Sequence, residues 1–177
     1  MEKIITITNG TGSADVINGT YDVEATVTGY DNASISPNEV DIEDGTNSYA
    51  FTISATGTLT LHVTDTGTAE GTPIEGATFV RTDSNGTEYG TPITSDSNGN
   101  AVFNNVPFAP TNAPTIYYKQ TSSDGEHEFD NTVQSTTMTT STSTVEVENP
   151  VGATRTFTLT DANYANLPID SGTLTLS

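Results

Sequence analysis

The sequence has no cysteine and no tryptophan, and only four of its 177 residues are lysine or arginine. Without cysteine there are no disulfides, no thiolate metal sites and no cysteine nucleophile. The four cations, Lys3, Arg81, Lys119 and Arg155, are scattered. No basic patch follows a phosphate backbone, so nucleic acid is not an expected partner. Against them stand 23 Asp and Glu, for a formal net charge of −19. An anionic membrane surface repels such a chain, and no membrane contact is expected. The charge itself reads in two ways. It keeps the protein soluble, or it suits the surface to a cationic partner or to Ca²⁺.

Long apolar runs are missing too. No stretch reaches the length of a transmembrane helix. The N-terminal MEKIITITNG has one lysine and then alternates Ile with Thr. It lacks the apolar core and cleavage site of a signal peptide, and the C-terminal SGTLTLS carries no anchor. The expectation is a chain with no export signal of its own. Ile, Val, Leu and Phe make up 35 of the 177 residues, about a fifth, which borders on disordered compositions. Their pattern argues for order, because they alternate with Thr, Ser, Asp and Glu as half-buried strands require.

What is present is strand and turn. TYDVEATVTGY puts Tyr21, Val23, Ala25 and Val27 on one face, and SYAFTISA does the same with Tyr49, Phe51 and Ile53. Further strands are predicted at 3–8, 39–43, 58–64, 76–82, 100–104, 115–120, 126–130, 144–148, 154–160 and 172–176. Between them lie NGTG, INGT, DNAS, EDGT and two DSNG turns. TDANYANLP suits one helical turn, with Asp161 as cap and Pro168 beyond its end. The Ser/Thr-rich STTMTTSTSTVEVEN is expected to be a mobile loop in its first half and a strand in its second. The fold class is therefore all-β, with small Ig-like or prealbumin-like sandwiches and a C-terminal strand pair. The expected division is an N-terminal Ig-like sandwich over 1–65, a second sandwich over 66–149, and C-terminal strands over 150–177 that pack on one of the two.

One echo recurs. ATGTLTLHVTD covers residues 55–65, and DSGTLTLS closes the chain at 170–177; each follows an FTI or FTL segment. Either two related units end in the same hairpin, or Thr-rich strands coincide.

The stretch over residues 71–108 carries a more specific pattern. Pro73-Ile74-Glu75-Gly76-Ala77-Thr78-Phe79 is followed by Ser95-Asp96-Ser97-Asn98-Gly99-Asn100-Ala101-Val102-Phe103 and then by the strand IYYKQT. This resembles the prealbumin-like B-type repeat of Gram-positive collagen adhesins and pilins, the Cna-B family. The resemblance covers about half of the chain and implies a β-sandwich in which Gly76 lets a strand bend, Ala77 and Phe79 face the core, and each DSNG is an Asx-type turn. Many members of that family carry an internal Lys–Asn isopeptide bond polarised by a buried acid. Here the strand before Pro73 reads LTLHVTD without a lysine, and the family's acid position holds Gln120. Asn149 alone fits, so the resemblance implies a scaffold without the crosslink. Lys119 follows Tyr118 and alternation puts it on the opposite, solvated face.

Other candidate chemistry is sparse. Asp83, Asp96 and Asn98 are the weak candidates for Ca²⁺, but Gly86 and Gly99 arrive two residues too early for an EF-hand loop, so no metal is expected. His62 alternates with Leu61 and Val63 and faces away from the core; His127 lies among the acids of DGEHEFD. Neither has an identifiable nucleophile, and no G-x-S-x-G occurs. Glu126 and Glu128 read as edge charges. NGT at Asn9, Asn18 and Asn85 reads as turn chemistry as well as glycosylation sequon. No catalytic residue and no cofactor are expected. The seven tyrosines are expected mostly in strand interiors.

The function expected is non-enzymatic display: decoration of the exterior of a phage capsid or tail. The alternatives are a bacterial cell-surface adhesin or pilin-type fragment, and a carbohydrate-binding module. The expected partners are a capsid or other particle protein, a host-surface glycan, and further copies of the chain.

Overall fold

The computed structural model describes residues 2–31, 33–45, 47–152, 156–163, 167–168 and 171–175. Twelve strands occur among them: β1 (Gly19–Asp22), β2 (Ser34–Ser36), β3 (Glu39–Ile42), β4 (Thr52–Thr64), β5 (Thr78–Thr82), β6 (Glu88–Thr94), β7 (Asn100–Phe108), β8 (Thr115–Ser122), β9 (Gln134–Thr137), β10 (Thr142–Glu148), β11 (Thr160–Asp161) and β12 (Leu167–Pro168). There is no helix among the described residues, and the chain is all-β.

The core lies between two sheets. In one, β4 is flanked by β10 in parallel and by β7 antiparallel; in the other the order is β6-β5-β8-β9, all antiparallel. Each contributes one face to a single buried cluster. Leu59, Leu61 and Val63 come from β4, Ala101, Phe103, Val106 and Phe108 from β7, Phe79 from β5, and Ile116 and Tyr118 from β8. Between these positions Thr60, His62, Tyr117 and Lys119 point outward and are half-exposed, which is the period-two pattern of strands covered on one side. On β7 the alternation changes phase between Phe103 and Val106. There Asn105 takes a φ of 56°, and the β4–β7 register shifts between Gly57 and Leu59, as a bulge requires. Phe79 meets Tyr118 edge-on with ring centroids 6.5 Å apart.

The first half of the Ser/Thr-rich run departs from its expectation. Ser135, Thr136 and Thr137 belong to β9, and Met138 behind them is completely buried in the core. An unbranched, adaptable methionine closes the gap at the sheet's rim, and this tethers a stretch whose composition alone suggests mobility. β10 follows as expected, with Val145 and Val147 packed against the core.

The N-terminal region holds a two-stranded antiparallel sheet of β1 with β3, and the short β2, which adds to the first residues of β4. Several predicted strands are shorter here. The long run from Tyr21 gives strand only to Asp22, and Val27 is exposed. Residues 3–8 contribute one bridge, Thr8 with Thr11. Both segments alternate, but among the described residues no second sheet covers the apolar face. Among the described residues the first buried hydrophobic side chain is Ala55. The region meets the sandwich where Tyr30 stacks on Phe108, centroids 6.3 Å apart, and where Ser141 Oγ donates to Asp31 Oδ2 at 3.1 Å. The expected boundary at 65/66 follows directly on β4, whose partners β7 and β10 both lie beyond it.

Towards the C-terminus, residues 126–130 form no strand; His127 makes a single bridge to Val151. The predicted helical turn falls on the strand pair β11–β12, with Tyr164, Ala165 and Asn166 outside the described residues. Residues 156–159 and 172–175 are not in strands, and 154–155 and 176 lie outside the described set.

Candidate functional site

The two halves of the family-like pattern meet at one end of the β5–β6 hairpin, and the Asp83 turn lies at the other. Ser95 is buried, its Oγ donates to the Ile74 carbonyl at 2.7 Å, and it accepts the Ala77 N–H at 3.0 Å. One hydroxyl thus joins the Pro73–Phe79 half of the pattern to the Ser95–Phe103 half. The chain before it is pinned in turn, because the Ile74 N–H donates to the Val63 carbonyl and the Val63 N–H to the Gly99 carbonyl.

Both DSNG segments are Asx turns. Asp83 Oδ1 accepts the N–H groups of Asn85 and Thr87 at 2.8 and 2.9 Å. Asp96 Oδ1 accepts those of Asn98 and Asn100, both at 2.9 Å. One carboxylate oxygen each of Asp83 and Asp96 is therefore committed to backbone. The hydrogen bond from Thr87 holds the Asp83 carboxyl below its ordinary range, and that from Asn100 does the same for Asp96. The Thr132 N–H lowers Asp130. At Asp124 partial desolvation pulls upward, but the N–H groups of Glu126 and His127 and the His127 ring prevail, and the net direction is down.

These directions fix a pH dependence. A carboxyl depressed in the folded state lends stability that is complete above its unfolded value and is lost as pH falls through the folded one. Acid unfolding is thus expected to steepen below the ordinary aspartate value of 3.8. Thermal melts across acid pH should show Asp96→Asn with a shallower acid limb than the native chain, since an amide keeps the acceptor but does not titrate. Identical limbs would contradict the assignment.

Asn149 directly follows β10 and is completely buried. Its backbone N–H donates to the Thr64 carbonyl at 2.9 Å, and its Nδ2 donates to Ser123 Oγ at 2.9 Å. Its Oδ1 is buried without a hydrogen-bond partner, which costs about 1–3 kcal/mol. Gln120 is buried as well and spends its Nε2 on the Ser122 carbonyl. The neighbouring strand offers Val63, opposite Val147 in the register, and no amine. Lys119 Nζ sits 2.7 Å from Glu88 Oε1 on the outer face, so this lysine is ion-paired as well as half-exposed. The intact mass is accordingly expected to equal the sequence mass; a deficit of one ammonia mapped to Asn149 would overturn this.

The histidines are both engaged by acids. His62 Nδ1 lies 2.6 Å from Glu146 Oε2, its partner in the β4–β10 register, and His127 Nδ1 lies 2.8 Å from Asp124 Oδ2. Glu126 and Glu128 are exposed, and their backbones bond residues 150 and 152. The tyrosines correct an expectation. Tyr118 is buried, Tyr21, Tyr30 and Tyr117 are half-buried, and Tyr49 and Tyr89 are exposed, with Tyr164 outside the described residues. The Arg81 guanidinium covers the Tyr89 ring at 5.0 Å. Among the described residues no cluster of three metal-ligating side chains occurs, and no helix is long and apolar enough to cross a membrane.

No protein-family model and no curated protein matches the sequence. Solved structures do. The minor pilin GBS52 of Streptococcus agalactiae is 15% identical with a TM-score of 0.48, over 72% of this chain and 63% of that one. The TIE protein of Bacillus anthracis is 17% identical with a TM-score of 0.45, over 59% of this chain and 18% of that one. The D312A form of BcpA, the major pilin subunit of Bacillus cereus, is 18% identical with a TM-score of 0.42, over 52% and 28%. This chain spans less than two thirds of each. The β-sandwich of this chain stands on the strand order and hydrogen bonds described above.

Proposed function

We propose that the chain is a non-enzymatic structural protein that displays its sandwich outward from a surface, and that the surface is the exterior of a phage capsid or tail. In this division of labour, of the expected 1–65 and 150–177 units, the residues before β4 or the C-terminal strands attach, and the 66–149 module, completed by β4, is outermost. The observation that carries the proposal is where apolar side chains are left uncovered. In the sandwich most are spent on the core, with Tyr89, Val102 and Val133 partly exposed. In the terminal regions Ile4 is 82% exposed, Ile17 71%, Phe157 59% and Leu174 57%, with Ile5, Ile7 and Leu159 also exposed. Surfaces of this kind mark sites of association. The region before residue 52 carries nine acids against the single Lys3, so the complementary partner is a basic protein surface. The outward module is acidic and hydroxyl-rich, which limits non-specific adhesion.

A second reading is a bacterial cell-surface adhesin or pilin-type subunit, favoured by the Pro73–Phe79 and Ser95–Phe103 pattern. One fractionation separates the two. Purified particles are expected to carry the native protein stoichiometrically, and to assemble when its gene is deleted. Recovery from cell walls instead, processed from a longer precursor, would establish the second reading and sink the first.

A further inference from the structure

The GTLTL echo gains a structural meaning from β4. There Gly57-Thr58-Leu59-Thr60-Leu61 lies alongside the start of β10, with Thr58 opposite Thr142, Thr60 opposite Thr144 and Leu61 opposite Val145. Gly57 sits where a side chain would run into the Ser141 backbone. Among the described residues β10 has β4 as its one strand partner, so its outer edge is open. The edge strands β6, β7 and β9 of the sandwich are blunted. β6 contains Gly90 and Pro92, β7 contains the irregular Asn105 and Pro107, and β9 has only four residues. Proline and kinks of this kind discourage strand addition. β10 runs for seven residues without Gly or Pro and in unbroken register, and residues 142–145 are uncharged.

The same five residues recur as Gly172-Thr173-Leu174-Thr175-Leu176. Residues 172–175 make no strand pairing, and Leu174 is exposed beside Phe157 and Leu159, with which it lines a shallow pocket. In its own chain this segment leaves β10 free. We propose that residues 172–175 of one copy add as an edge strand to β10 of a second copy, so that the chain assembles with itself. The added strand lies on β10 as β4 does on the other side, with Leu174 extending the core beside the half-buried Val145 and Val147. Backbone hydrogen bonds supply the affinity, and the leucine supplies the choice of face. The joining strands are uncharged where they meet, while the copies repel through a net charge of −19 each. Salt therefore strengthens the association. This self-assembly is independent of which exterior the protein is displayed on.

The test is the mass of the full chain by analytical ultracentrifugation, at low and high salt up to the solubility limit, beside Leu174→Asp. Leu174 is exposed in the single chain, so the variant folds. The native chain is expected to associate with concentration and more strongly in salt, with protection of the 142–145 amides from hydrogen exchange rising in parallel. Leu174→Asp is expected to weaken association roughly 10- to 100-fold, the loss of one buried leucine. A chain that stays monomeric throughout would overturn the proposal. So would association that the variant leaves intact, or a monomer whose own 172–175 amides are protected, which would place the strand on its own β10.

Discussion

Phe79→Ala and Phe103→Ala are each expected to cost about 3–5 kcal/mol. Phe79 is 1% exposed and meets the Tyr118 ring of the neighbouring strand edge-on, and Phe103 is 5% exposed on the opposing sheet. Truncation removes the transfer free energy of a buried ring, about 1.5–3 kcal/mol, and leaves a cavity between two rigid sheets. That is a large share of a typical margin of about 5–15 kcal/mol. Phe51→Ala and Phe157→Ala supply the contrast. Their rings are 43% and 59% exposed, and they should stay within about 0.5 kcal/mol of the native chain. Chemical denaturation of the four variants measures this directly. Equal losses in both pairs would mean that the terminal regions hold a core of their own.

Gly99→Ala is the second large effect, expected at about 2–5 kcal/mol, the sum of two costs. Gly99 has a φ of 77°, which costs an L-residue about 1–2 kcal/mol. An added Cβ would stand 2.5 Å from the Val63 carbonyl oxygen, which already accepts the Ile74 N–H, and 3.3 Å from Pro73 Cβ. Making room shifts backbone, comparable to overpacking at about 1–3 kcal/mol. The loss should appear as a lower denaturation midpoint with an unchanged slope. Ala at Gly125, where φ is 92° but nothing lies within 4 Å, should show only the conformational part.

Phe79 and Gly99 are both legible in the amino-acid sequence, and the reason is local. They sit in runs where alternation, turn chemistry and the family-like pattern agree. The Asx turns of Asp83 and Asp96 read correctly because a short side chain bonding its own backbone needs no distant partner. β6 is hidden because Gly90 and Pro92 interrupt its pattern, and it survives as an edge strand. β9 is hidden in a Ser/Thr run whose anchor, Met138, looks like an isolated residue. The β4–β10 pairing joins His62 to Glu146 across 84 positions; nothing local announces such a contact. The error runs the other way at Ala25 and Val27. Alternation shows what a strand would need to be covered, and among the described residues no second layer covers it.

The central claim is that the sandwich holds its own stability while the terminal regions keep apolar side chains uncovered for a partner. Hydrogen exchange of the free chain, read strand by strand, tests it most directly. Amides of β4, β5, β7 and β8 are expected to exchange only through global unfolding, and those of residues 2–31 and 156–163 orders of magnitude faster. Protection over residues 2–31 equal to that of β4 in the free monomer would contradict it.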